Sequence, residues 1–246
     1  MTLFNSLANF NILGFGFKAK SDAKVTNPIW QDSFVTNPLY DRLGNPAYIE
    51  TEARSNTRIQ EVFKEYGLNI KVNLKELDKL KQGHLKETRL MVAKIYSSLP
   101  AYLKDEVKLN DLQEAALLHD YGKVLIPEEI LNKAGKLTYE EREIMELHSE
   151  LGYELLKDKN LSEKTLNLIK YHHQNLNKTG YPAVNSEFDC DLGLQILNVA
   201  DKYSALREKR CYKDAFGKIE ALQIIAEDVN NGNISQDIYT ALMKII

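Results

Sequence analysis

The sequence predicts an all-α protein, a helical bundle behind a partly irregular N-terminal extension, and three observations point to it. Apolar residues recur at helical spacing from Thr51 onward, and helix-capping residues punctuate that spacing. No stretch alternates apolar and polar residues with the period of two that a half-buried strand requires. The 246 residues suit one large domain or a core domain with an extension.

Residues 1 to about 50 differ from the rest. They hold three of the six prolines and a loosely repeated element: Val25-Thr-Asn-Pro-Ile-Trp30, Val35-Thr-Asn-Pro-Leu-Tyr40 and Asn45-Pro-Ala-Tyr48. Asn-Pro pairs favour turns and extended backbone. The segment is either an arm packing on the domain or a partner, or a leader whose similarity is coincidental. From Thr51 the reading is helical. Ser55 caps a helix through Ile59, Val62 and Phe63 that Gly67 stops, and a long helix runs from about Asn73 to Ser98, ended by Pro100. The helix containing Leu112, Ala115 and Ala116 leads to His119, and Pro127 opens a short turn through Ile130 and Leu131, closed near Gly135. Thr138-Tyr-Glu-Glu141 is a capping box for a helix reaching Leu156. Ser162 caps one ending at Tyr171-His-His173, and another spans about Asp191 to Arg207. Two more cover about 215–229 and 236–246, the second capped by Ser235.

The hydrophobic fraction of 43% and charged fraction of 27% are those of an ordinary globular protein. No apolar run approaches the length of a bilayer span, and the N-terminus has no early Lys or Arg to start a signal peptide. Cys190 and Cys211 are too few for a disulfide framework, so the expected home is a reducing cytoplasm. A net charge of -3 advertises neither a nucleic-acid polymer nor a membrane as partner.

The chemistry lies in the histidines. All five, His84, His119, His148, His172 and His173, fall on the apolar stripe of a predicted helix. His84 shares a face with Leu77, Leu80, Met91 and Ile95, and His119 with Leu112, Ala115 and Ala116. His148 follows Ile144 and precedes Leu151, and His172 and His173 come three and four positions after Ile169. Asp201 lies on the face of Leu194 and Leu197. Asp120 is one position round from His119, before Gly122, whose freedom allows a sharp turn. One buried histidine is usually a satisfied core residue. Five projecting inward with two carboxylates, and none on the surface, call for a cation. Imidazole and carboxylate donors suit Fe, Mn, Zn or Co, and seven candidates fit two metals bridged by a carboxylate. Two metals sharing a water would lower its pKa enough to give hydroxide near neutral pH. Lys123 is placed to face an anion there, which favours in-line attack on a phosphate ester.

Laid out in order, these residues resemble the HD superfamily of metal phosphohydrolases, specifically its HD-GYP branch. The resemblance rests on His84; His119-Asp120-Tyr-Gly-Lys123; Ile126-Pro-Glu-Glu-Ile-Leu-Asn-Lys-Ala-Gly-Lys-Leu-Thr138; Glu146-Leu-His148; His172-His173; Gly180-Tyr-Pro182; and Val199-Ala-Asp201. It covers residues 80 to 246, so the expected organisation is an extension, 1–75 (arm plus leading helix), and a phosphohydrolase domain, 76–246. The resemblance implies a phosphodiesterase that opens a cyclic dinucleotide, chiefly cyclic di-GMP, to the linear dinucleotide or onward to the mononucleotide. It places His84, His119, Asp120 and Asp201 on one divalent metal, with Asp120 bridging to a second held by His148, His172 and His173. Fe or Mn is favoured, with Zn, Co and Ni compatible. By the same likeness Lys123 touches the scissile phosphate, and Gly180, Tyr181, Arg210 and Lys213 line the substrate site.

Three departures stand out. Gln174-Asn-Leu-Asn-Lys-Thr179 replaces the family's Glu-Arg-Trp-Asp-Gly stretch, which bears on base recognition and on docking of a GGDEF-type cyclase. Leu80 stands where some members carry a third-metal Glu, so two metals are expected, and Arg210-Cys-Tyr212 replaces an arginine-proline-tyrosine triplet. Two other readings stay open. One is an HD-family phosphohydrolase acting on a different nucleotide or phosphate ester. The other is a non-catalytic nucleotide sensor, with a protein partner or a second copy engaged through the N-terminal region.

Overall fold

The computed structural model describes residues 38–82, 84–208 and 215–246. Among them every regular element is a helix, as the periodicity predicts. In order they are α1 (Pro38–Leu43), α2 (Pro46–Ser55), α3 (Thr57–Glu65), α4 (Leu74–Gln82), α5 (His84–Ser98), α6 (Ala101–Lys104) and α7 (Leu109–Leu118). A 3-10 turn (Tyr121–Leu125) leads to α8 (Glu128–Leu131), α9 (Tyr139–Glu146), α10 (His148–Leu156), α11 (Glu163–Tyr171), α12 (Leu192–Arg207), α13 (Lys218–Asn230) and α14 (Gln236–Met243).

The local signals explain most boundaries. Thr138 and Glu141 close the expected capping box, Glu141 N donating to Thr138 Oγ1 at 3.2 Å and Thr138 N to Glu141 Oε2 at 2.7 Å. Ser162 Oγ accepts from Thr165 N at 2.9 Å and Asp191 Oδ1 from Leu194 N at 3.2 Å, fixing the starts of α11 and α12. Gly67, at φ 62°, ends α3 as predicted. Leu68 N reaches back to Phe63 O at 2.8 Å and Gly67 N to Lys64 O at 3.2 Å, the paired bonds that a left-handed residue after a helix permits.

Several expectations are corrected. Residues 38–55 are helical rather than extended: Asn45 caps α2 by accepting from Ala47 N at 3.0 Å, and Pro46 occupies the first turn, where its missing N–H costs nothing. The cap of α3 is Asn56, not Ser55, which ends α2. Within the expected helix over 73–98 the described residues form α4 and α5, and the one over 138–156 breaks at Leu147. Ser235 precedes α14 without a side-chain cap bond. The first Asn-Pro segment, Val25–Trp30, lies outside the described residues.

One core joins these helices, from Tyr40 in α1 to Leu242 in α14. At its centre α12 buries Leu194, Ile196, Leu197, Val199, Ala200 and Tyr203, apolar around most of its girth, as a helix packed on several sides must be. It packs on α5, which also meets α7, while α10 packs on the 3-10 turn and α11. α2 and α3 lie on α10, so the leading helices brace the elements that follow rather than standing apart. Tyr121 Oη donates to Leu43 O at 2.9 Å, and Asn73 N to Val124 O at 2.7 Å, tying the same turn to α1 and to the start of α4.

Candidate metal centre

Four separate pieces of backbone deliver the site. α7 ends at Leu118 with His119 as its cap, and Asp120 lies beyond it at φ -92°, ψ 5°, ahead of the 3-10 turn. The expectation that Asp120 sits one position round the same helix is therefore corrected. That sparsely populated backbone region aims the carboxylate back at the histidines. His148 opens α10, His172 and His173 follow α11, and Asp201 lies within α12. His119, His148, His172 and Asp120 are buried, at 0%, 1%, 1% and 5% exposure. The side chain of His84, and Arg210 and Lys213, lie outside the described residues.

Gly122 serves a different purpose from the expected sharp turn, since its φ is not positive. A Cβ there would lie 2.0 Å from His148 O and 2.4 Å from Gly152 N. Glycine lets the backbone of α10 touch the 3-10 turn, and that contact sets His148 beside Asp120. Gly180 acts alike, since its Cβ would meet His173 O at 2.0 Å.

The geometry divides about Asp120. On one side His119 Nε2 is 3.5 Å from Asp120 Oδ2 and 3.3 Å from Asp201 Oδ1. On the other, Asp120 Oδ1 is 3.5 Å from His148 Nε2 and 3.9 Å from His172 Nε2. His148 Nε2 is 3.3 Å from His172 Nε2 and 3.2 Å from His173 Nε2. Two groups of donor atoms result, each spanning no more than 4.8 Å: Asp120, His148, His172 and His173; and His119, Asp120 and Asp201. Asp120 belongs to both.

The donors fit a pair of cations on physical grounds. The Nδ1 atoms of His119, His148 and His172 lie 3.0, 2.7 and 2.7 Å from the carbonyls of Ala116, Met145 and Ile169. Donation there turns each Nε2 lone pair into the site, the support metal-ligating imidazoles usually have. Lone pairs at van der Waals contact with one another and with carboxylates repel unless a cation or proton lies among them. His119 Nε2 and Asp120 Oδ1 have no hydrogen-bond partner although both are buried. With only protons to share, the two sides differ. Burial acts to lower the His119 pKa, but Asp120 and Asp201 outweigh it and hold it up at about 10. Burial, then Lys123, pushes His148 down to about 4, and burial with His119 and His148 pushes His172 to about 3. His173 falls well below its ordinary value for similar reasons. Burial works to raise the Asp120 carboxyl, but Lys123 and His119 hold it well down. Among the described residues no thiol enters either group: Cys190 is buried, with its Sγ 3.9 Å from Gln174 O.

Around this centre Lys123 Nζ donates to Asp120 Oδ2 at 2.7 Å. Tyr181 stacks on His173 with ring centroids 4.5 Å apart, and its edge meets His148 at 6.0 Å. Leu80, in the third-metal position, belongs to the apolar core. Sequence reasoning missed Asn198, whose Nδ2 donates to the carbonyls of His172 (3.1 Å) and Gln174 (3.2 Å) and ties the histidine pair to α12 one turn before Asp201. An Asn on the predicted buried face of a helix, three residues ahead of a candidate ligand, was the available signal. Gly152, opposite Gly122, carried none.

The family described as HD domain matches residues 71–237, well over half of the chain. A cyclic di-GMP phosphodiesterase of Pseudomonas aeruginosa is 33% identical over 133 residues, which make up 54% of this chain and 32% of that protein. One from Thermotoga maritima is 34% identical over 142 residues, 57% of this chain and 38% of the relative. A 3'3'-cGAMP-specific phosphodiesterase of Vibrio cholerae is 37% identical over 111 residues, 44% and 21% of the two chains. The chain thus spans well under half the length of these relatives.

Proposed function

The chain belongs to the HD domain family, and from that premise we propose that it is a metal-dependent phosphodiesterase of the HD-GYP type that hydrolyses a cyclic dinucleotide, cyclic di-GMP foremost. The observation that carries the reading is the placement of Asp120, whose one oxygen faces His119 and whose other faces His148 and His172. In this reading His119, Asp120 and Asp201, joined by His84, would hold one divalent metal. His148, His172 and His173, with Asp120, would hold the second. Ferrous iron or manganese suits these donors. When bound, the pair would activate water for in-line attack on phosphorus and neutralise developing charge.

The protein's own side chains supply the rest. Lys123 stays protonated because Asp120 and Asp201 outweigh the cost of its burial, so it brings a fixed positive charge to the carboxylate that faces the phosphate. Asp120 fixes that ammonium and takes no proton itself near neutral pH. Tyr181 stacks on one face of the His173 ring.

A second reading changes the substrate to another cyclic dinucleotide or phosphate ester. It is favoured by the 174–179 loop, which is turned onto the chain itself: Leu176 N donates to Asn233 O at 2.9 Å, and Asn177 Nδ2 to Asn231 O at 3.2 Å. Protein purified anaerobically and assayed on cyclic di-GMP, cyclic GMP-AMP, cyclic di-AMP and a simple phosphodiester separates the readings. Turnover of cyclic di-GMP first among them supports the proposal. Two bound metals with turnover of another substrate only would shift it to the second reading.

A further inference from the structure

Gln174 is buried, at 1% exposure, immediately after the histidine pair. No role above uses it. Its Nε2 donates to Pro182 O at 2.6 Å, and its Oε1 accepts from Asn175 N at 3.3 Å. These two partners fix which end of the amide is which, because a carbonyl needs the NH2 and an N–H needs the oxygen. The bond spans the 174–182 loop and closes it. Gly180 lies within the loop, against His173 O, and Tyr181 N approaches the same carbonyl at 3.4 Å. Tyr181 consequently lies flat on the His173 ring, at 4.5 Å and 29°. The far side of the loop is held independently, by Asn177 Nδ2 on Asn231 O and Asn233 Oδ1.

We propose that Gln174 is a positioning residue: its amide N–H clamps Pro182 and so holds Tyr181 over His173, setting how the mouth of the site meets its ligand. A carboxylate at this position would put a negative oxygen against the Pro182 carbonyl and lose the donor. The departure from the Glu of the resembling family therefore has a consequence in this chain. It makes the closed loop independent of a proton on residue 174. The inference rests on the phosphodiesterase reading for its kinetic arm only.

The test compares wild type with Gln174→Glu, which keeps shape and removes the donor, and Gln174→Met, which keeps volume without polarity. Hydrogen–deuterium exchange of a peptide covering 178–184 is followed beside one from α12. The expected result is exchange about tenfold faster in 178–184 for both variants, with α12 unchanged. On metal-loaded protein the KM for the cyclic dinucleotide turned over by wild type rises about tenfold while kcat stays within about threefold, because ground-state contact at the mouth is lost rather than chemistry. Unchanged exchange in 178–184 overturns the clamp, and so does a fall in kcat at constant KM. Faster exchange throughout, α12 included, also overturns it, since Gln174 would then be only a core residue. If wild type turns over no cyclic dinucleotide, the phosphodiesterase reading fails while the exchange arm still decides the clamp.

Discussion

The two sides of the candidate centre share Asp120 but are built from opposite chemistry. His119 stands between two carboxylates that hold its pKa up at about 10. His148 and His172 stand among other imidazoles and are pushed down to about 4 and 3. One side is anionic and draws a proton when no metal is present. The other consists of neutral rings with crowded lone pairs and draws none. Burial alone cannot explain this, since all three histidines are buried alike. At His119 the pull of Asp120 and Asp201 outweighs burial, whereas at His148 burial and Lys123, and at His172 burial and the neighbouring imidazoles, outweigh the carboxylates.

The largest expected effect comes from removing what both sides share. Asp120→Ala should lower phosphodiesterase activity by about 10³-fold or more and reduce the metal retained on both sides, measured by turnover and metal content together. Activity near wild type would break the comparison at its hinge. Next, Gly122→Ala inserts a Cβ where His148 O stands 2.0 Å away. The 3-10 turn and α10 must separate, so stability should fall by about 3 kcal/mol, read by denaturant unfolding, and His148 should no longer meet Asp120. Variants confined to one side sharpen the contrast. Asp201→Ala and His173→Ala should each leave about one metal per chain rather than two. Loss of both metals from either variant would show that the sides are not separable.

The pH dependence follows from the same asymmetry. A folded-state pKa of about 10 for His119, raised above its ordinary value of 6.5, stabilises the metal-free protein fully below pH 6.5. That contribution is lost as pH rises toward about 10. Metal-free protein should therefore lose stability between about pH 7 and about pH 10, while metal-loaded protein, whose His119 carries no such proton, should lose less over that range. Parallel thermal melts with and without chelator check this, and equal slopes would remove the charged character assigned to the His119 side. The smallest effect lies outside the centre. Tyr121→Phe deletes the bond to Leu43 O and should cost about 1 kcal/mol in denaturant unfolding.

What the sequence made legible was local. Thr138 and Ser162 cap helices through bonds reaching three residues ahead, so the pattern is complete within four letters. The inward placement of His119, His148 and His172 was equally readable, because it is a matter of helical period. The break at Leu147 was not, since the apolar stripe continues through it. Asn45-Pro46 was read as a turn because the same dipeptide opens helices, and only the packing that follows decides. The division of the donors about Asp120, the close approach at Gly122 and the bonds of Asn198 are contacts between distant segments, and the bond of Gln174 to Pro182 closes an irregular loop. No single stretch of chain encodes the distant contacts.

Counting the metal bound per chain, on protein purified without oxygen so that a ferrous pair survives, tests the shared role of Asp120 most directly. Two ions per chain in wild type, falling below one in Asp120→Ala, is the result expected. A single ion in wild type, or two retained after Asp120 is removed, would contradict it.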